Sequence, residues 1–379
     1  MPEPAIEPAA ESRLRAVKRV EPTTPSPSKW VELSAALQKH RGERLLALLT
    51  GYPDPDNIAS GLALQLLASS YDIETTLLSF HEVSHQENRA LVKRLEIDLK
   101  LYDERFNLDP YSLYAFVDTQ KAEAPIQDHL RGKTFLAFVD HHKKLGEVPA
   151  EFVDIREDAG STCGIFADYL RHAFPEGLNP NEAMHVRLAT ALMHGIRSDT
   201  RVFLEASRLD FEAAAFLWCA VDQALLKRIS AQSLTPAVMD MIQAALEHKK
   251  VYDNFLFSDV GFVRKEHRDG IPQAADFLLS REGIDTVLVF GIVDGRTVDG
   301  SLRTRSDTVN PDTFLKKTFG IDEERGSHYG GGNIRDKGGF QIPIGFLAQH
   351  KERDQLYRLA WEVIHEKVLE AIGRVESTT

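Results

Sequence analysis

The sequence predicts an α/β fold: an N-terminal doubly wound parallel-sheet domain, a helical connector, and a smaller C-terminal α/β domain, with a cleft between the two domains. Three observations carry this. Short apolar runs, among them Leu45–Leu49, Leu113–Val117 and Phe135–Val139, read as strands buried on both faces. Segments of helical spacing alternate with them, as parallel sheets require. Several runs stop abruptly in carboxylates or imidazoles, and open α/β sheets bind ligands beyond the carboxyl ends of their strands. The organising stretch is Leu136–Lys143, where an apolar run ends in Asp140-His141-His142.

Global properties narrow the class. The 379 residues suffice for two domains with their own cores. A net charge of −12 argues against a broad nucleic-acid surface, so no long duplex partner is expected. Cys163 and Cys219 have no CxxC spacing, which supports neither a disulfide framework nor a zinc knuckle. With no signal-peptide pattern and no apolar run near the roughly 20 residues of a membrane span, a soluble cytoplasmic protein is expected.

In chain order, residues 1–28 are rich in Pro, Glu, Ala and Ser and read as a disordered tail. Trp30–His40 has helical spacing, and Gly42 can stop it. Arg44–Thr50 is a strand candidate. Gly51–Asp56 is a Pro-broken turn, from which Asp56 or Asn57 can cap a helix over Ile58–Ser70. A cap explains one carboxylate there and leaves the other of Asp54 and Asp56 unexplained. Glu74–Phe80 is a strand, and Ser84–Glu87 has capping-box spacing for a helix over Asn88–Leu95. Leu113–Val117 ends in Asp118, Phe135–Val139 in Asp140, and Glu151–Ile155 is a shorter strand. Ser161 can start the helix Cys163–Ala173, and Asn181–Ile196 is a long apolar helix leading to Asp199. Phe211 to about Ala245 reads as a helical connector. A second α/β pattern follows: strands Phe255–Phe257 and Gly261–Val263, helix Pro272–Arg281, strands Thr286–Ile292 and Thr297–Arg303, helix Pro311–Phe319, a Gly-rich loop and a last helix, Arg353–Ile372. The expected boundaries are 1–28 for the tail, 29–220 for the first domain, 221–247 for the connector and 248–373 for the second domain.

In a doubly wound sheet Asp54, Asp56, Asp118, His141 and Asp199 converge on one edge. Carboxylates so gathered repel one another unless cations intervene. A divalent pair, Mn²⁺ or alternatively Mg²⁺, suits oxygen ligands with an imidazole. Two such ions about 3.5–4 Å apart can polarise a phosphoryl group and activate a water. In the second domain, alternation puts Arg303 and Arg305 on one face of a strand, ready for phosphate or carboxylate. Gly330, Gly331 and Gly332 permit positive φ and close approach, so their N–H groups can cup an anion.

These motifs resemble the DHH superfamily of phosphoesterases over Trp30 to Ile372. The closest likeness is to the branch holding short-oligoribonucleotide hydrolases (nanoRNases) and 3′-phosphoadenosine-5′-phosphate phosphatases. Pro53–Ser60, Val117-Asp118, Asp140-His141-His142 and Gly195–Thr200 look like that family's first four motifs in order. Ser301–Arg305 and Gly330–Asn333 look like the DHH-associated C-terminal domain. The resemblance implies that Asp54, Asp56, Asp118, His141 and Asp199 ligate two Mn²⁺ ions, with Asp118 bridging. It implies that His142 contacts the scissile phosphate or acts as general acid, and that Asp140 orients the imidazoles. Arg303, Arg305, Gly330, Gly331, Gly332 and Asn333 would hold the substrate, a small nucleotide or short oligonucleotide. The implied activity is a metal-dependent phosphoric ester hydrolase, either phosphodiesterase/exonuclease or nucleotide phosphatase. Oligomeric state stays open between monomer and homodimer.

Two positions depart from the family pattern. Thr50 stands where a ligand His is usual, so either one metal has lost a nitrogen ligand, or water, Thr50 itself or a nearby His such as His81 or His85 takes that place. Asn333 stands where the C-terminal motif usually has His, and Asn cannot be cationic. The alternatives are an inorganic pyrophosphatase-like hydrolase and a non-catalytic nucleotide-binding protein with a degraded metal site.

Overall fold

The computed structural model describes residues 27–120, 124–147, 149–231, 233–323, 326–332, 336–350 and 352–374. Asn333 lies outside the described residues, as does the expected tail except for its last two residues, which open the first helix. The chain divides into two compact units. One takes the residues up to Glu82 with Leu91–Lys227, the other Val83–Ala90 with the residues from Arg228 on.

The first unit, with α3 and α8 divided between it and the second, runs α1 (Pro27–Lys39), β1 (Arg44–Leu49), α2 (Pro55–Ser69), β2 (Glu74–Ser79), α3 (Gln86–Arg94), β3 (Leu99–Leu101), β4 (Leu113–Val117), α4 (Gln127–Leu130), β5 (Thr134–Asp140), β6 (Phe152–Ile155), α5 (Thr162–Ala173), α6 (Ala183–Asp199), α7 (Arg208–Leu217) and α8 (Gln223–Ser230). Its six-stranded sheet has the order β3-β2-β1-β4-β5-β6, and every pairing is parallel. The strand order therefore reverses between β1 and β4, and the ends of these two strands frame the crevice of a doubly wound sheet. Leu45–Leu49 and Leu113–Val117 are buried throughout, which is why these strands read as unbroken apolar runs. Leu46, Leu48, Leu78, Tyr114, Phe116 and Phe138 form a core with Ile126 and Leu130 on one sheet face.

Helix α2 starts at Pro55, three residues before the expected Ile58. Proline at the first helical position is pre-organised for the helix and has no N–H to leave orphaned. The cap is Asp54 rather than Asp56 or Asn57: Asp54 Oδ1 accepts from Asn57 N–H at 3.0 Å, and Asn57 Oδ1 accepts from Asp54 N–H at 3.3 Å. Helix α6 runs on to Asp199 instead of ending at Ile196.

The second unit contains α9 (Pro236–His248), β7 (Lys250–Tyr252), β8 (Phe255–Val263), α10 (Gly270–Leu279), β9 (Thr286–Val293), β10 (Thr297–Thr304), α11 (Pro311–Phe319), β11 (Ile321–Asp322), β12 (Ser327–His328), β13 (Gly330–Gly332), β14 (Lys337–Pro343) and α12 (Arg353–Ala371). Its six-stranded sheet has the order β13-β14-β10-β9-β8-β7, with only β8 and β9 parallel. The two strands expected at Phe255–Phe257 and Gly261–Val263 are one strand. The register slips between Asp259 and Phe262, and Gly261 has φ 68°, the marks of a bulge. Val238, Met241, Ile242 and Ala245 of α9, in the stretch expected to connect the domains, belong to the second unit's core.

The Gly-rich loop is also a correction. Gly330–Gly332 form β13, paired antiparallel with Phe340–Gly338, and none of them has positive φ. Their role is close packing: a Cβ on Gly330 would meet Phe340 Cβ at 2.9 Å, and one on Gly332 would meet Lys337 O at 2.4 Å. No described helix is long and apolar enough to cross a membrane.

Candidate metal centre

The first unit delivers its polar residues from three kinds of end. Asp118 follows β4, Asp140-His141-His142 close β5, and Asp54 and Asp56 open α2 beyond β1. Asp199 arrives differently. It is the last residue of α6, where the negative helix end disfavours a carboxylate. The placement needs a compensating positive group, and His141 Nε2 lies 3.0 Å from Asp199 Oδ2.

His141 is the hub. Its Nε2 is 3.6 Å from Asp118 Oδ1 and 3.9 Å from Asp56 Oδ2, while Nδ1 is 3.4 Å from Ala159 O. His142 Nδ1 is 2.8 Å from Asp140 Oδ1 and 3.6 Å from Asp118 Oδ1. Asp140 thus holds one imidazole, that of His142, rather than both. Gln120 donates to the other Asp140 oxygen at 2.6 Å. Asp56, fully buried, accepts from the Thr162 and Cys163 N–H groups at 2.8 Å each. The Thr162 hydroxyl donates to Asp118 Oδ1 at 2.9 Å.

Crowding shifts the titrations. Burial, then Asp199 and Asp56, push the Asp54 carboxyl up to about 7. Burial and Asp199 also raise Asp56. Asp118 is pushed well above the carboxylate range by burial and by Asp56, Asp54 and Asp199. Burial disfavours the charged form of His141, yet Asp199, Asp56 and Asp140 outweigh it and hold the imidazole at about 9. Asp140 goes the other way: burial opposes ionisation, but hydrogen bonds from His142 and Gln120 keep it low.

This donor set fits a divalent cation. Two groups of donor atoms lie within 4.8 Å of one another: Asp118, His141 and His142, and Asp56, His141 and Asp199. Among the described residues, His141 Nε2 is a buried nitrogen with no aligned hydrogen bond. A buried ring nitrogen without an aligned hydrogen bond, facing protonation-prone carboxylates, suits a cation that would satisfy all of them. Asp54 belongs to neither group, although its charge is felt by Asp118.

Other expected residues lie elsewhere. Thr50 donates its hydroxyl to Thr119 Oγ1 at 2.8 Å. His81 stacks on Tyr52, and neither donor group includes His81 or His85. Arg303 Nε donates to Asp276 Oδ1 at 2.7 Å within the second unit. Arg305 is exposed and lies one residue beyond the end of β10. The N–H of Gly332 donates to Asp312 Oδ1 at 3.2 Å, so a carboxylate already occupies the donor expected to meet an anion. Sequence reasoning missed Thr162, Gln120 and Asp210. Asp210 is fully buried and accepts from Ser161 Oγ at 2.7 Å and from Gly160 N–H at 2.9 Å. The sequence signals are the strand end Asp118-Thr119-Gln120 and the stretch Gly160-Ser161-Thr162, which by itself points only to the Ser161 cap.

Residues 47–196 match the DHH family, N-terminal domain. An uncharacterized protein of Methanocaldococcus jannaschii is 34% identical over 331 residues, which is 87% of this chain; the chain spans 64% of that relative's length. The crystal structure of an exopolyphosphatase-related protein from Bacteroides fragilis superposes with a TM-score of 0.65 at 15% identity, covering 89% of this chain and 97% of that one. RecJ from Thermus thermophilus, in complex with Mn²⁺, gives a TM-score of 0.50 at 14% identity, covering 94% of this chain and 56% of that one. At such identities the likeness to solved structures is one of fold.

Proposed function

We propose, on the match of residues 47–196 to the DHH family, N-terminal domain, that this chain is a metal-dependent phosphoesterase that hydrolyses a small nucleotide or a short oligonucleotide. The observation that carries the reading is the convergence of Asp56, Asp118 and Asp199 on Nε2 of His141. Asp54, Asp56, Asp118, His141 and Asp199 would hold two Mn²⁺ or Mg²⁺ ions. Bound there, such ions neutralise phosphoryl oxygens and lower the pKa of a water.

The remaining steps belong to the chain's own groups. Asp140 accepts from His142 Nδ1, which fixes the tautomer and leaves Nε2 for a substrate oxygen. The side chain of His142 is 60% exposed, so substrate can reach it. As the imidazolium, protonated on both ring nitrogens, His142 can give its Nε2 proton to the departing alkoxide and return to the neutral Nδ1–H form that Asp140 holds. In the second unit, Arg305 is our candidate for a substrate phosphate. Arg303, already matched by Asp276, and Gly330–Gly332 are secondary candidates. The nanoRNase and 3′-phosphoadenosine-5′-phosphate phosphatase chemistries are the finer substrate classes we favour.

Thr50 motivates a second reading, a nucleotide-binding protein whose metal site has degraded, since its hydroxyl is engaged by Thr119. Calorimetric titration of the metal-free protein with Mn²⁺ separates the two. The phosphoesterase binds two ions per chain, and Asp118→Asn weakens both. Saturation below two ions favours the degraded site.

A further inference from the structure

Asp56 and Asp118 come from opposite sides of the sheet's switch point, Asp56 after β1 and Asp118 after β4. Something must fix the gap between their oxygens, and one residue touches both. The Thr162 N–H donates to Asp56 Oδ2, and its hydroxyl donates to Asp118 Oδ1. These are the same two oxygens that face His141 Nε2, at 3.9 and 3.6 Å.

We propose that Thr162 is a positioning residue that sets the spacing of Asp56 and Asp118 for the metal pair. This rests on the metal-site reading given above. Thr162 is itself immobilised. It is fully buried at the first position of α5, and Ser161, the cap, accepts from Gly164 N–H at 3.0 Å. Asp210 then ties Ser161 Oγ and Gly160 N–H to the start of α7, where it also accepts from Ser207 N–H at 2.8 Å and from the Ser207 hydroxyl at 2.6 Å. The chain of contacts therefore runs from α7 through Asp210, Ser161 and Thr162 to the two carboxylates. On the far side, α6 closes on α2 through Gly195, where a Cβ would meet Cys163 Sγ at 2.4 Å and Pro55 O at 3.0 Å. Asp56 is thus confined from both sides, and the Thr162 hydroxyl is the adjustable link to Asp118.

The chemistry requires the hydroxyl and not merely the volume. A hydroxyl donating to one lone pair of Asp118 Oδ1 leaves the other for a cation. Valine keeps the shape and removes the donor. Serine keeps the donor and loses a methyl.

The test compares full-length wild type, Thr162→Val and Thr162→Ser by Mn²⁺ calorimetry, by Mn²⁺ electron paramagnetic resonance, and by turnover of a 5′-phosphorylated diribonucleotide and of 3′-phosphoadenosine-5′-phosphate. Thr162→Val should bind Mn²⁺ roughly 10–100-fold more weakly, as removal of an outer hydrogen-bond partner does at metal sites. Its spin-coupled two-ion signal should broaden or vanish, and kcat on any substrate that turns over should fall with little change in KM. Thr162→Ser should restore all of these. The proposal is overturned if Thr162→Val binds both ions with wild-type affinity and signal. It is equally overturned if serine fails as badly as valine, which would make the methyl packing decisive. Wild-type protein that binds no Mn²⁺ sinks the metal-site reading itself, a distinct outcome.

Discussion

Asp118 has φ 58°, in the left-handed region that non-glycine residues rarely adopt. Asp and Asn tolerate this region best, at a cost of about 1 kcal/mol. The turn brings the carboxylate to His141 and His142, so Asp118→Asn should fold and yet lose metal binding and turnover. His142→Ala should keep both ions and lose on the order of 10²–10⁴ in kcat, the usual share of a general acid; a kcat within a few-fold of wild type would move that role elsewhere. Asp54, at about 7, and His141, at about 9, both bind protons more tightly when folded than in their ordinary state. Their contribution therefore stabilises the metal-free protein at low pH and is lost as pH rises through those values. Asp140, held low, loses its contribution only as pH falls through its own depressed value. The melting temperature of the metal-free protein should fall from about pH 5 to 9, and saturating Mn²⁺ should remove that fall. A metal-free midpoint that rises across this window contradicts the cluster's electrostatics.

At the scale of elements, helix ends do much of the positioning. Asp54 serves as cap and as candidate ligand, and the two roles separate by substitution. Asparagine caps about as well as aspartate, so at about pH 5, where the Asp54 carboxyl is protonated, Asp54→Asn should hold stability nearly unchanged, and at neutral pH it should weaken Mn²⁺ binding. Asp54→Ala should lose both, with about 1 kcal/mol of stability. Equal stability losses in the two variants would show that the charge, and not the cap, matters to the fold. Gly195→Ala should destabilise by about 1–3 kcal/mol, since α2 and α6 must part to admit the methyl. Thermal melting of the metal-free variant measures this, and an unchanged midpoint would mean the helix contact is loose.

Across the whole molecule, what could be read in advance follows from burial. Strands of a parallel sheet are covered on both faces, so β1, β4 and β5 stand out as apolar runs, and the residues at their ends mark the crevice. Asp118, Asp140, His141 and His142 were legible for that reason. Asp199 was legible as a candidate but not as a helix terminus, because helical periodicity does not announce its last turn. Thr162 left little trace, since its importance comes from which carboxylates fold up against it. The second unit was harder. Its sheet is mixed, β13 is three glycines whose pairing depends on Phe340 and Leu315, and the partner of Arg303, Asp276, comes from a helix 27 residues away. Long-range partners of that kind carry no local pattern.

The most direct test of the account is release of phosphate or nucleotide by the purified protein with Mn²⁺. The panel is a 5′-phosphorylated diribonucleotide, 3′-phosphoadenosine-5′-phosphate, a cyclic dinucleotide and pyrophosphate, with Asp118→Asn as control. The account predicts turnover of a nucleotide substrate that the variant loses. Folded protein holding its Mn²⁺ that turns over none of the nucleotides, or that cleaves pyrophosphate alone, would contradict it.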